Sequence, residues 1–388
     1  MTPPRVHYIS NARLPSERAN TLQTMRMCEA FSRAGTEVTL FHPWRKQSGA
    51  LKTADIWDHY GVARDAFAIR RLPALDLLPA AERTGIGAAA KGAFLLQTWT
   101  YTAIAVPVVA ALPHGLVFTR EIFIAAALAP LCRARGLPLL YECHTLPNPR
   151  LFPALRLVDG VLCVSETLAA QVREAGARHV LTAPNGVDLA RYGNLPTRAE
   201  ARRTLGWDAR PVAAYTGQLF TWKGVGTLIE AARRIPGVRV MLIGGSGREL
   251  AEARERAREI PNLEVVGQIP PSDVPLRTRA ADVLVLPNTA KDTQSREHTS
   301  PLKLFEYFAS GTPVVASDLP SVRDIAHPGN ARLVAPDDPA ALADAITWSL
   351  EHPGPAAALA ERARADVESR TWLRRAQDIL RFAASLRS

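Results

Sequence analysis

From Arg5 to the last helix, the chain alternates between two hydrophobic periods, one of two residues and one near 3.6. Short apolar runs bounded by turn residues read as strands, and the amphipathic stretches between them read as helices. A strand, a crossover helix and a second strand make a parallel pair, so the pattern selects parallel sheets with helices on their faces. Residues 5–9 form the first predicted strand. A helix then starts at Asn20, with Gln23 three positions on as a capping-box-like start. Leu22, Met25, Cys28 and Phe31 form its apolar stripe, Gly35 ends it, and residues 37–41 are the next strand. Further strands are expected at 115–119, 138–142, 160–164 and 179–183, with a helix over 166–174.

A second series begins near Pro211. Strands are expected at 211–215, 239–243, 263–266, 282–286, 313–316 and 331–334. Helices are expected over 224–234, 248–259, 301–309, 340–350 and 355–366. The polar piece at 188–210 between the two series is the natural linker. The chain's 388 residues therefore divide into two Rossmann-like domains of doubly wound α/β type, 1–190 and 205–371. No period of 20–50 residues repeats, which argues against a solenoid. Two such domains facing each other would hold a ligand at the carboxyl ends of their strands, in the cleft between them.

Composition narrows the partners. The net charge is +10, and the excess is spread over both halves. It suits an anionic substrate or an acidic membrane surface. No basic and aromatic tract accompanies it, so nucleic acid is not an expected partner. The four cysteines lack CxxC spacing and lie in apolar segments, which reads as buried thiols in a reducing cytosol. The N-terminus leads straight into a strand without the apolar stretch of a signal peptide. Residues 93–112 come nearest to a membrane span, but Gln97, Thr98, Thr100, Thr102 and Pro107 favour a buried helix. A surface helix touching a bilayer is the alternative.

The densest chemistry lies at 300–317. Ser300 is placed to cap a short helix, Pro301 suits its first position, and Gly311 stops it before a buried strand. The start of such a helix offers backbone N–H groups and a positive dipole end to an anion. Lys303 and Glu306 share one face of an otherwise apolar helix, and Glu306 can accept hydrogen bonds from a sugar or ribose hydroxyl. Residues 217–224 form a glycine-bounded loop between a strand and a helix. It delivers Lys223 either to a phosphate or simply to solvent. Gly244 opens a second glycine turn at 244–247. Ile269 follows a third strand, where it either lies over a base or sits in an ordinary loop. His144 stands at the carboxyl end of an apolar strand, as a ligand contact or a structural histidine. The Asn-Gly turn at 185–186 reads as a tight exit from the first domain.

Taken in order, these segments resemble the GT-B nucleotide-sugar glycosyltransferases of family four, a large retaining group. The likeness rests on residues 30–38, 164–166, 184–188, 217–224, 244–247, 282–287 and 300–317, and it covers nearly the whole chain. It implies that the C-terminal domain holds a nucleotide-diphosphate sugar and the N-terminal domain a hydroxyl acceptor. Lys223 would neutralise the donor phosphates and Glu306 would bind the ribose hydroxyls. Gly217, Gly244, Ser300, Pro301, Leu302 and Lys303 would meet the donor's phosphates and sugar, Ile269 its base, and His144 the reacting sugar. The last helix, 372–388, would cross back onto the first domain. Without an Asp-x-Asp clamp in a suitable loop, no metal or other cofactor is expected. The expected setting is the cytoplasm of a bacterium, in polysaccharide or glycoconjugate synthesis, with peripheral contact at the inner membrane face as an option left open.

Two positions depart from the family pattern. Gln218 stands where an arginine is usual, with Lys303 or Arg18 as substitutes, and His298 stands where a glutamate is usual, beside Glu297. They keep open a catalytically weak or inactive protein of this fold that binds a nucleotide sugar or partners another transferase. An epimerase of the same shape and a dinucleotide oxidoreductase resting on 244–247 are weaker alternatives, because the motif order and the incomplete glycine fingerprint disfavour them.

Overall fold

A computed structural model describes residues 4–386 apart from Glu17, Ser48 and residues 83–86. The last two positions of the expected terminal helix therefore lie outside the described residues. The chain forms two compact units. The first comprises Met1–Val164, Leu168–Pro184 and Trp372–Ser388; the second comprises Ser165–Thr167 and Asn185–Thr371.

The first unit holds strands β1 (Arg5–Ile9), β2 (Glu37–Pro43), β3 (Ala68–Leu72), β4 (Leu116–Thr119), β5 (Leu139–Cys143), β6 (Gly160–Cys163) and β7 (Val180–Thr182). They form one parallel sheet in the order β3-β2-β1-β4-β5-β6-β7. Strand residues alternate between its faces. One face carries Ile9, Phe41, Val117, Tyr141 and Cys163. It is covered by α2 (Gly87–Ala111), α3 (Ile122–Ala134) and α4 (Glu166–Glu174). On the other face, the Tyr8 and Phe118 rings meet tilted at 4.9 Å, and Phe31 of α1 (Ala19–Arg33) meets Phe118 edge-on at 5.6 Å. The terminal helix α11 (Trp372–Ser385) packs on α1 and belongs to this unit. Both faces are buried, which is why the strands read as continuous apolar runs.

The second unit holds β8 (Val212–Thr216), β9 (Arg239–Ile243), β10 (Leu263–Gly267), β11 (Val283–Leu286), β12 (Val314–Ser317) and β13 (Arg332–Val334). Their order is β10-β9-β8-β11-β12-β13, again all parallel. This doubly wound order reverses direction between β8 and β11, where such sheets bind ligands at the carboxyl ends of the strands. Val212, Met241 and Leu284 face one core, with α8 (Leu302–Ser310) and α10 (Pro353–Val367). Ala213, Val240 and Val283 face the other, with α5 (Val225–Ala232), α6 (Gly247–Ala257) and α9 (Pro339–Glu351). A further helix, α7 (Val274–Ala280), runs before β11.

Several expectations need correction. Residues 188–210, expected as a polar linker ending in a short helix, group with the second unit, where Arg198 and Arg202 pair with Asp282. The helix Arg198–Leu205 in this segment has a true capping box between Thr197 and Glu200. The box expected at Asn20 is absent. There α1 starts one residue earlier, behind Arg18, and Gln23 turns into the core to bond Glu142 at 2.7 Å. The stretch expected as a buried helix over 93–112 is buried along one side only: Ala93, Gln97, Tyr101, Ala105 and Val109 are covered, while Trp99 is 76% exposed.

Candidate functional site

In the second unit, three glycine turns end three neighbouring strands. Gly217 follows β8, Gly244 follows β9 and Gly267 closes β10. They are linked in series, the Gly217 N–H donating to Ile243 O at 2.8 Å and the Gly244 N–H to Gly267 O at 2.7 Å. Gly217 and Gly244 both have φ of +121°, a region open to glycine alone. A Cβ on Gly244 would lie 2.4 Å from the Gly217 carbonyl oxygen, and one on Gly217 would lie 3.0 Å from Lys303 Nζ. These contacts explain why the turns carry no side chains: the space they would fill is the mouth of the sheet.

The helix α8 points its N-terminus into the same region. Its cap is Pro301, without a side-chain hydrogen bond, and Leu302 is the first helical residue. The expectation that Ser300 caps this helix is therefore wrong. Ser300 is buried and tied backwards: its Oγ accepts from the Asn185 N–H at 3.0 Å, and its carbonyl accepts from Asn185 Nδ2 at 2.8 Å. The side chain that could have capped the helix fixes its entry instead; of the first-turn N–H groups, that of Leu304 turns back to Pro301 O at 2.9 Å. One turn on, the Tyr307 hydroxyl accepts from the Thr216 N–H at 2.8 Å, locking α8 to the end of β8.

Two lysines converge here. Lys303 Nζ is buried with no hydrogen-bond partner and lies 3.5 Å from the centre of the Tyr215 ring. Burial holds its ammonium well below the usual lysine range, the charge of Lys223 pushes the same way, and Glu306 opposes them. Lys223, at the end of the glycine loop, packs over Trp222 at 3.7 Å. Burial brings its ammonium down to about 7. Glu306 is half-buried one turn into α8, with its carboxylate three residues from Lys303 and coupled to its charge. Gln218 contacts Ser246 of the second glycine turn at 3.4 Å, and its carbonyl accepts from the Tyr215 hydroxyl at 2.6 Å. Ile269 lies half-buried two residues past β10 and packs against the core.

Around the missing carboxylate, His298 is buried, and burial lowers its imidazole further below the usual range than Glu297 can offset. Glu297 is held by Arg296 through contacts of 2.9 and 2.7 Å. Asn288, two residues past β11, is fully buried with neither amide atom bonded. No periodicity or motif singled it out.

The first unit contributes His144, one residue past β5, with about 26% of its side chain exposed. Its Nε2 lies 3.4 Å from Glu142 Oε1. Burial, then the charge of Arg120, brings the imidazole down to about 4, although Glu142 pulls upward. Glu142 is wholly buried, and burial alone would raise its pKa. The charges of Arg375, His144 and Arg120 outweigh that and hold it well below the carboxylate range. Gln23 bonds both Glu142 and Arg120. Arg375 also donates from Nε to the carbonyls of Ala183 and Pro184 at 3.1 and 2.9 Å. Gln23, Glu142 and Arg375 were not expected as site residues, because their meeting joins three distant segments.

Within the second unit the structure thus gathers Gly217, Lys223, Gly244, Ser300, Pro301, Leu302, Lys303 and Glu306 around the carboxyl ends of β8 and β9. Ile269 lies at the neighbouring strand, and His144 belongs to the other unit.

Comparison with known proteins accords with this geometry. Residues 22–191 match the model described as Glycosyltransferase Family 4, and residues 210–352 match the one described as Glycosyl transferases group 1. The chain pairs a family 4 with a group 1 glycosyltransferase domain. Among curated relatives, it is 28% identical over 228 residues to the phosphatidyl-myo-inositol mannosyltransferase of Mycolicibacterium smegmatis, a match covering 57% of this chain and 56% of that one. It is 33% identical over 260 residues to the D-inositol 3-phosphate glycosyltransferase of Mycolicibacterium paratuberculosis, covering 59% and 57%. The chain thus spans a little over half the length of these curated relatives. Among solved structures, HepE of Anabaena in complex with UDP-glucose superposes with a TM-score of 0.74 at 19% identity, covering 98% of this chain and 99% of that one. Sucrose-phosphate synthase of Thermosynechococcus elongatus gives 0.76 at 20%, covering 99% of each. The two parallel sheets with their flanking helices are those of the GT-B fold, as the motif order implied.

Proposed function

We propose that this chain transfers a sugar from a nucleotide-diphosphate donor to a hydroxyl acceptor, with retention of anomeric configuration and without a metal. The second unit binds the donor and the first binds the acceptor. The observation that carries this reading is the buried, unbonded ammonium of Lys303, crowded by Lys223 beside two glycine turns and a helix mouth. A buried cation without a partner is costly. With the charge of Lys223 beside it, Lys303 calls for a ligand with two adjacent negative charges, and a diphosphate supplies these. The Lys303 position also answers the absence of an arginine at Gln218.

In transfer, the bond from the anomeric carbon to the phosphate oxygen breaks, and negative charge grows on the leaving diphosphate. Lys223, Lys303 and the first N–H groups of α8 are preorganised toward that charge. Glu306 holds the ribose hydroxyls. His144, neutral at pH 7, offers a hydrogen bond rather than a charge to the reacting sugar. Four buried free cysteines, two of them directly opposed on β5 and β6 as Cys143 and Cys163, suit a reducing cytoplasm. Contact with an anionic membrane and a glycan, lipid-linked or small-molecule acceptor complete the reading.

A second reading has an observation of its own. Glu297 is engaged by Arg296 and so does not stand in for the carboxylate missing at His298, which favours a nucleotide-sugar binder with weak or no turnover. Thermal-shift screening of nucleotide sugars, followed by product analysis with the stabilising donors, tests both. Donor binding with turnover supports the transferase, donor binding without turnover on any acceptor or water supports the binder, and no binding at all removes both.

A further inference from the structure

The outer face of α2 has no role in the donor site, and its chemistry is unusual for a water-facing helix. Lys91, Leu95, Trp99, Ala103 and Pro107 recur every four residues and are all exposed. From Gly92 to Pro113 there is no charged residue. A surface helix ordinarily turns a charged stripe to water, and a contiguous apolar face marks an interaction site. The face widens beyond the helix. Leu75 and Leu77 are exposed on the preceding loop, and the Leu75 N–H donates to Thr100 Oγ1 at 3.1 Å, which places that loop against α2. Between them Asp76 turns inward, its side chain covered and paired with Arg45 at 3.7 Å. The one acidic side chain of this stretch is thereby removed from the surface.

We propose that this face is a membrane-docking surface whose occupant is an anionic phospholipid bilayer. The helix lies along the bilayer and does not cross it. Its opposite side, with Tyr101, Ala105 and Val109 fully covered, is part of the unit's core, and the Tyr101 hydroxyl donates to Phe41 O at 3.0 Å. Trp99 is 76% exposed at the centre of the row; a tryptophan so placed suits the headgroup level, where one part of the ring is apolar and the other wet. Charge selects a bilayer over a second copy of this chain. Lys91 begins the row, Arg70 is exposed on the adjacent edge strand β3 on the face that α2 covers, and the whole chain carries +10. A second copy would bring the same positive rim, whereas anionic headgroups complement it.

The face also stands next to the carboxyl ends of the strands. Asn11, just past β1, bonds Thr98 Oγ1 at 2.9 Å and Gln97 Nε2 at 2.8 Å, on the turn that carries Trp99. An acceptor whose headgroup projects from the bilayer would reach the first unit's strand ends from this side. This deepens the reading given above and rests on it only for the acceptor; docking itself does not depend on turnover.

The test is co-sedimentation of the full chain with phosphatidylcholine vesicles with and without phosphatidylglycerol, for the unaltered protein and for Trp99→Ser and Leu95→Ser/Trp99→Ser. Thermal melting with and without the donor controls for folding and for the donor site. Binding to the anionic vesicles, reduced by salt and lowered at least about tenfold by the double substitution, supports the assignment. An unaltered protein that binds donor but no vesicle overturns docking and leaves the transferase reading standing. Vesicle binding unchanged by the double substitution overturns the assignment to α2. Concentration-dependent dimerisation abolished by the same substitution, without vesicle binding, assigns the face to a second copy and overturns the proposal.

Discussion

The guanidinium of Arg375 lies against the carboxylate of Glu142, 233 positions earlier in the chain, and both side chains are buried. One belongs to the terminal helix and the other to the central part of the first unit's sheet. The pair therefore fastens the end of the chain to the strand that presents His144.

Breaking it from one side leaves the buried Glu142 carboxylate with only the longer approach of Arg120, at 3.9 Å, as its arginine partner. Arg375→Met is expected to destabilise the first unit by about 3–5 kcal/mol. Adding Glu142→Gln is expected to restore part of that loss, since no lone charge then remains. Denaturant unfolding followed by a probe in the first unit checks this; equal stability of Arg375→Met and the unaltered protein would refute it.

The same cluster predicts acid sensitivity. The folded His144 imidazole sits near 4, below the ordinary 6.5, so between these values the unfolded chain binds more protons and stability falls as pH falls. Glu142 is depressed from the ordinary carboxylate value. Its contribution is complete above the unfolded value and is lost as pH drops toward the folded one. Melting temperatures measured from pH 7 down to 4 should decline less steeply in His144→Gln. A decline as steep as in the unaltered protein contradicts the assignment to His144.

Lys223 predicts a limb on the alkaline side. With its ammonium near 7 in the free protein, donor capture should weaken as pH rises through that value. A bound diphosphate would favour the charged form and push it upward. In Lys223→Arg the cation persists at all working pH values, so the limb in kcat/KM should vanish even if the maximum is lower. A limb that stays in place assigns it to another group.

Lys303 predicts opposite effects on stability and function. Its buried ammonium has no hydrogen-bond partner in the structure, so Lys303→Met should leave the free protein as stable or raise its melting temperature. Transfer should fall by about 10²–10³, the usual loss for one preorganised charge contact. A large drop in melting temperature would mean that the lysine holds the fold rather than the ligand.

Much of the fold was legible because its signals are local. Strands such as β9, and the helix α4, coincide with their expected ranges because glycine and polar turns bound them sharply. The edge strand β3 was not foreseen: Arg70 and Arg71 face water there and interrupt any apolar run. Helices α3 and α7 were also missed; α3 is apolar and carries an internal proline at 130, and α7 is short, with Pro275 in its first turn. In the site, the glycine turns and α8 were readable from spacing. The roles of Ser300 and Gln23 were not, because a polar residue at a helix start has a local partner and a distant one to choose from. Asn185 and Glu142 are the distant partners that won.

The central claim is that Lys223 and Lys303 jointly hold a diphosphate in the second unit. Isothermal titration with UDP, GDP and ADP in turn tests it most directly, using the unaltered protein, Lys223→Ala, Lys303→Met and, as a control in the other unit, Glu142→Gln. At least one nucleotide should bind the unaltered protein, and bind each lysine variant at least about tenfold more weakly, the loss of one charge-assisted contact, while Glu142→Gln, which disturbs only the first unit's buried pair, should lose stability rather than nucleotide affinity. Binding of equal strength in both lysine variants, or no binding of any of the three to the unaltered protein, would contradict it.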